Sequence, residues 1–158
     1  MNTYTRPNEN PAFDAVVLLG RALIAYLFIP GGFHKLMGFS RTVGYIASQG
    51  VPMPEVAAAI AVGCELGLGL MLLFGWQTRW AALGLAIFVA VITPIFHGFW
   101  HAPDAARAMQ KINFDKNLAV VGGLLVLATV GAGRWSIDRE AIAGPREDSG
   151  AGRQRVTA

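Results

Sequence analysis

Apolar residues along the chain gather into four long runs, roughly residues 13–33, 55–74, 80–99 and 118–133, separated by short polar stretches. Runs of about 16 to 21 residues are what a helix needs to cross roughly 30 Å of hydrocarbon. A membrane β-barrel would instead show segments of about ten alternating residues. The pattern predicts an all-α fold, an integral membrane bundle of four transmembrane helices.

Local signals mark the ends of these runs. Pro11 precedes the first and Asp14 sits in its opening turn, where an acid suits the helix dipole; Pro30, Gly31 and Gly32 mark its end. The second follows the stop signal of Val51 to Pro54 and closes at Gly75; the third carries Pro94, which should kink it. Gly63 with Gly67, and Ala119 with Gly123, form small-residue steps suited to close helix contact. Between the first two spans, Phe39, Val43, Ile46 and Ala47 share a face and suggest a short interfacial helix. No small-residue cleavage site follows the first run, so it is read as a retained helix.

Composition agrees, with 54% hydrophobic and 15% charged residues in 158. Residues 1–12 are then a short cytoplasmic segment, 13–133 the membrane domain, and 134–158 a polar tail of interleaved arginines and acids, expected to be disordered. Arg134, Arg139, Arg146, Arg153 and Arg155 are too dilute for a nucleic-acid footprint, and the expected surroundings are the lipid bilayer. An even number of spans puts both termini on one side. Seven basic residues outside the spans fall there (Arg6, Arg79 and the five tail arginines), against five on the other side (Lys35, Arg41, Arg107, Lys111, Lys116), which favours cytoplasmic termini. Trp76, Trp80 and Trp135 would mark the inner interface and Trp100 the outer one.

Ionisable residues inside spans are expensive and therefore informative. Arg21 lies about eight residues into the first span and Glu65 about nine from the end of the second, so at 1.5 Å per residue both should sit about 12 to 14 Å deep. They are expected to face the bundle interior and pair, either fixing how the two helices dock or leaving Glu65 as a proton-accepting carboxylate. A second group collects on the side away from the termini. His34 and Lys35 end the first span, His97 lies near the end of the third, and Lys116 with Asn117 opens the fourth. Such a set could hold a quinone head group, an oxyanion or another acidic ligand. The plainer reading has Lys35 and Lys116 snorkelling to the lipid head groups, a reach His97 lacks.

Cys64 is the only cysteine, which excludes an intramolecular disulfide and any multi-thiolate centre; mid-span, it reads as a small core residue. His97 and His101 are four apart, but Pro103 follows and the span is expected to end between them, so no metal site is expected. No phosphate loop or nucleophile elbow is present, and no residue is assigned a catalytic role.

Several segments, taken in order, resemble the DoxX family of small bacterial and archaeal membrane proteins over about Val16 to Arg139. They are LLGRALIAYLF with Arg21, GGFHKLMGF with Lys35, the loop ending in QGVPMP, CELGLGLMLLFGWQTR with Glu65 and Arg79, NFDKNLAVVGGLL with Lys116 and Asn117, and GAGRWSIDR. The resemblance implies a four-helix protein of the bacterial inner membrane. Family members include a subunit associated with an archaeal terminal quinol oxidase, thiosulfate:quinone oxidoreductase subunits, and components of complexes that handle thiol and oxidative stress. The resemblance therefore implies a membrane subunit of a quinone-linked redox system, an oxidoreductase component with quinone as cofactor and redox partner subunits. The alternatives are a small-molecule binding or transport module, which would work as a homo-oligomer, and a non-catalytic scaffold.

Overall fold

A computed structural model describes residues 11–138, and these are helical with no strand. The elements are α1 (Pro11–Met37), α2 (Phe39–Ser48), α3 (Pro54–Phe74), α4 (Thr78–His97) and α5 (Asp104–Val130). The helices α1, α3 and α5, and α4 together with the 3-10 turn Phe99–His101 that follows it, are each long and apolar enough to cross a membrane. The chain runs up and down, so the start of α1, the α3–α4 turn and the end of α5 share one end of the bundle, the terminus-bearing end. The α1–α2–α3 connection and the α4–α5 connection share the far end.

Backbone chemistry accounts for the turns. Gly75 closes α3 in the left-handed region (φ 70°), with Gly75 N bonded to Leu72 O and Trp76 N to Met71 O, the paired bonds that satisfy orphaned carbonyls at a helix end. Pro54 opens α3 at a position where its missing N–H costs nothing. The short helix expected between the first two spans is α2; it buries Ile46 and stacks Tyr45 on Phe96 of α4 at 5.6 Å.

Two expectations from the spans change. α5 is 27 residues long and begins at Asp104, so the polar stretch before residue 118 is helix rather than loop. Pro103 just ahead of Asp104, with the acid in the first turn, is its start signal. The segment from residue 134, expected to open the tail, is ordered as far as Asp138: Gly131 to Asp138 folds back across the terminus-bearing end as a strap. Residues 1–10 and 139–158, most of the two expected polar termini, lie outside the described residues.

The core is small and closely packed. Ala81, Ala82, Leu85, Ala86 and Val89 of α4 are buried against Leu124 and Leu127 of α5 and against Ala25, Phe28 and Leu72. In a membrane such contacts are driven by van der Waals fit, which favours small residues at crossings. The glycines that serve α1 and α3 are Gly32 and Gly69. A Cβ on Gly32 would lie 2.9 Å from Leu66 N, and one on Gly69 would lie 3.1 Å from Ile29 Cγ1. Gly63 and Gly67, the step visible in the sequence, are exposed with nothing within 4 Å of a Cβ. Gly123 does face α1, since a Cβ there would sit 3.9 Å from Ile24 Cδ1, whereas Ala119 is exposed.

Candidate functional site

Near the middle of α3 the helix widens into a π-turn over Gly63–Leu68. One extra residue per turn shifts the facing of everything around it, and such bulges are frequent at functional sites. Here the turn aims Glu65 inward, at Gly31 and Gly32 of α1. A Cβ on Gly31 would lie 3.1 Å from Glu65 Oε2, so the absence of a side chain is what lets the carboxylate reach α1. Lys35, one helical turn further along α1, donates to Glu65 Oε2 at 2.7 Å. The carboxylate side chain is 8% exposed and the lysine 37%. The result is an acid and a base side by side within the spans, closed on the acid side and open on the base side.

Arg21 and Glu65 do not meet. Gly31, opposite Glu65, is ten residues and so about 15 Å further along α1 than Arg21. Arg21 lies instead beneath Gly75, where any side chain would collide with its Nη1, and donates to Trp135 O at 2.7 Å. The start of the first apolar run and the end of the second are not level, so equal counts from those ends do not give equal depth. In the structure the first turns of α1 project beyond the α3–α4 turn and are covered by the strap, placing Arg21 level with Gly75. Asp14, buried on the same flank, accepts from Arg134 N at 2.9 Å and lies 3.8 Å from Arg134 Nε. Asp138 accepts from Gln77 N at 2.6 Å and Thr78 N at 3.0 Å, capping the start of α4. None of these strap contacts had a sequence signal beyond the glycines Gly131 and Gly133, whose positive φ turns the chain back.

The five residues expected to line a far-end pocket do not converge. Only Lys35 reaches Glu65. His34 and Lys116 are exposed. His97 Nδ1 shares a hydrogen bond with Gln110 Oε1 at 2.9 Å, and Asn117 Nδ2 donates to Thr93 Oγ1 at 3.0 Å, while the Thr93 hydroxyl bonds back to Val89 O at 2.6 Å. His97 and Asn117 thus join α4 to α5 in two separate places. α4 stops at His97 and His101 belongs to the 3-10 turn, so the two imidazoles are not on one continuous helix. Among the described residues no three His, Cys, Asp or Glu side chains cluster to hold a metal. Gln110 and Thr93 complete these bonds and were not singled out from the sequence; Thr93 one residue before Pro94, where the backbone ladder loses a donor, was the available hint.

The sequence pattern of the DoxX family matches residues 16–98, which contain Arg21, Lys35 and Glu65. The chain is 37% identical to inner membrane protein YphA of Escherichia coli over 139 residues, 88% of this chain and 99% of that one. It is 38% identical to inner membrane protein YqjF of the same organism over 126 residues, 80% of this chain and 92% of that one. A Surfeit locus protein 4 homolog of Drosophila melanogaster is 26% identical over 132 residues, 82% of this chain but 42% of that protein. No protein of solved structure matches it. With half of its length in the family's pattern and two relatives aligned almost end to end, the chain belongs to the DoxX family and is a multi-pass inner membrane protein.

Proposed function

We propose that the chain is the membrane subunit of a quinone-linked redox system, and that it holds the quinone head group at the Lys35–Glu65 pair. The observation that carries the reading is the asymmetry of the pair: a carboxylate 8% exposed inside the spans, bonded at 2.7 Å to a lysine that is 37% exposed. An ionisable pair at that depth is costly to keep unless it does something. The residues suit the group. Lys35 has three ammonium protons and gives one to Glu65, leaving donors for a carbonyl oxygen at the open edge. Gly31, by lacking a side chain, lets the carboxylate and the ammonium sit together against α1. A bound quinone supplies reversible two-electron, two-proton chemistry. Lys35 orients the head group by hydrogen bonding; Glu65 fixes the ammonium and exchanges a proton through it. Electron delivery belongs to a partner subunit. The basic residues outside the spans support cytoplasmic termini, which a reporter fused to the C-terminus reads directly.

Titration of the purified protein in detergent with a short-chain ubiquinone tests the reading. Lys35→Met should weaken binding by about tenfold or more, the worth of one charge-assisted hydrogen bond. Equal affinity in the variant and the unaltered chain, or no binding by either, would refute it.

The same geometry favours a second reading, a module that binds a small acidic or lipophilic molecule without redox chemistry, because a half-exposed ammonium recognises a carboxylate as readily as a carbonyl. Moving such a molecule across the membrane would need more than one copy of so small a bundle. A carboxylate-bearing amphiphile that displaces the ubiquinone and binds more tightly would favour this reading.

A further inference from the structure

α5 meets its neighbours along one side only: its buried residues are Leu124 and Leu127, packed into the core. At about 100° per residue, Gly122 and Val126 point almost directly away from Leu124. Ile112, Asp115, Ala119, Gly122, Val126 and Thr129 follow one another along that outer side in alternating steps of three and four, and all are exposed. Such steps are the heptad spacing of a helix seam, and small residues along it permit close approach.

Depth makes this face costly to leave open. α4 and its 3-10 turn rise about 30 Å from Trp80 to Trp100, exposed aromatic residues of the kind that mark the two interfaces. Asn117 bonds to Thr93, which lies about 20 Å along from Trp80, so Asp115 and Lys116 lie roughly 7 to 10 Å inside the far interface. The uncharged part of α5, Asn117 to Val130, covers only about 21 Å, and the helix completes its crossing by taking both charges into it. Lys111 and Lys116 can reach for the head groups; the short side chain of Asp115 cannot. Its carboxylate is 57% exposed, with Lys111 of its own helix at 2.7 Å. The exposed ammonium of Lys116 has no partner among the described residues. In a parallel helix pair the residue that follows a seam position flanks the facing helix and forms ion pairs across the seam. Lys116 follows Asp115, so this face carries both halves of such a pair.

We propose that the outer face of α5 is a dimer interface and that its occupant is a second copy of this chain. Copies inserted the same way have parallel α5 helices, related by a two-fold axis along the membrane normal. Asp115 of each copy then meets Lys116 of the other, and this reciprocal pairing is what points to the same chain as the partner. Gly122 is the point of closest approach, and the carboxylates leave the lipid. The interface lies apart from the Lys35–Glu65 pair between α1 and α3 and does not rest on the redox reading.

Cysteine cross-linking of the full chain in native membranes, in a Cys64→Ser background, tests this. Oxidation with copper phenanthroline should convert most of the Val126→Cys protein to a disulfide-linked dimer. Leu23→Cys, exposed on α1 at a similar depth, should cross-link at least tenfold less. Gly122→Leu, which meets nothing within one copy, should lower the dimer fraction of the chain in micelles about tenfold or more with helicity unchanged. Asp115→Lys should weaken association several-fold, and Asp115→Lys combined with Lys116→Asp should restore it. Equal cross-linking of Val126→Cys and Leu23→Cys, a monomeric unaltered chain, or a dimer indifferent to Gly122→Leu would overturn the proposal. So would a disulfide from Val126→Cys to a different protein in place of its own copy, which would give the face to another subunit. If Asp115→Lys does not fold, the cross-linking comparison and Gly122→Leu decide.

Discussion

At the terminus-bearing end Arg21 is 1% exposed and bonds to a backbone carbonyl, while Asp14 and Asp138 bond to backbone amides. At the far end Glu65 is held by a side chain, and that side chain is 37% exposed. Charges tied to the backbone cannot change partners unless the chain itself moves, so Arg21, Asp14 and Asp138 close the bundle by locking the strap. The Lys35 ammonium can leave Glu65 by rotating about its own side-chain bonds, so the far-end pair can accept a ligand while the helices stay where they are. Buried charge alone does not single out a candidate site; the freedom of its partner does.

The comparison breaks most easily at Arg21. Arg21→Met should cost about 3 kcal/mol, because it removes the charge-assisted bond to Trp135 O and empties space beneath Gly75. Denaturant unfolding in micelles measures this, and a cost under about 1 kcal/mol would mean that the strap holds without it. Gly32→Leu should cost about 1 to 3 kcal/mol by driving a side chain into Leu66 N and parting α1 from α3 at the π-turn. The same change should also weaken ligand binding at Lys35; a variant that is destabilised yet binds normally would separate the pair from the helix crossing. Glu65→Gln should be milder in stability, about 1 kcal/mol, because Lys35 can turn to water and head groups. Its larger effect should fall on ubiquinone affinity. A stability loss matching that of Arg21→Met would erase the distinction between the two ends. Asn117→Leu should be the smallest, about 0.6 kcal/mol for one interhelical hydrogen bond, seen as a slight lowering of Tm with ligand binding unchanged.

The number and order of the spans and the short helix between the first two were legible because each rests on local composition. Pro54 and Gly75 bound α3, and the apolar face of α2 shows in ten residues. Lys35 and Glu65 were both visible as expensive residues, but their partnership was not. Depth counted from run ends misjudged how far α1 extends, and a 3.6-residue period carries no warning of a π-turn. The strap was illegible for another reason. GAGRWSID reads as polar surface, and its value lies in the Arg134 amide, the Trp135 carbonyl and the Asp138 carboxylate, whose partners lie far away in the sequence. His97 and Asn117 were singled out for their chemistry, yet each found a private partner on a neighbouring helix, Gln110 and Thr93, that no spacing within one segment reveals.

The widened turn at Gly63–Leu68 also gives α3 a place to swivel. A wide turn holds one residue more than the regular spiral needs, and that surplus can pass to the next turn when a single backbone bond trades acceptors. Each such trade re-aims the residues it crosses while the glycine-packed half below, from Gly69 to Phe74, stays against α1. The heading of the Glu65 carboxylate is therefore adjustable by local bond exchange, a far smaller motion than sliding one helix along another.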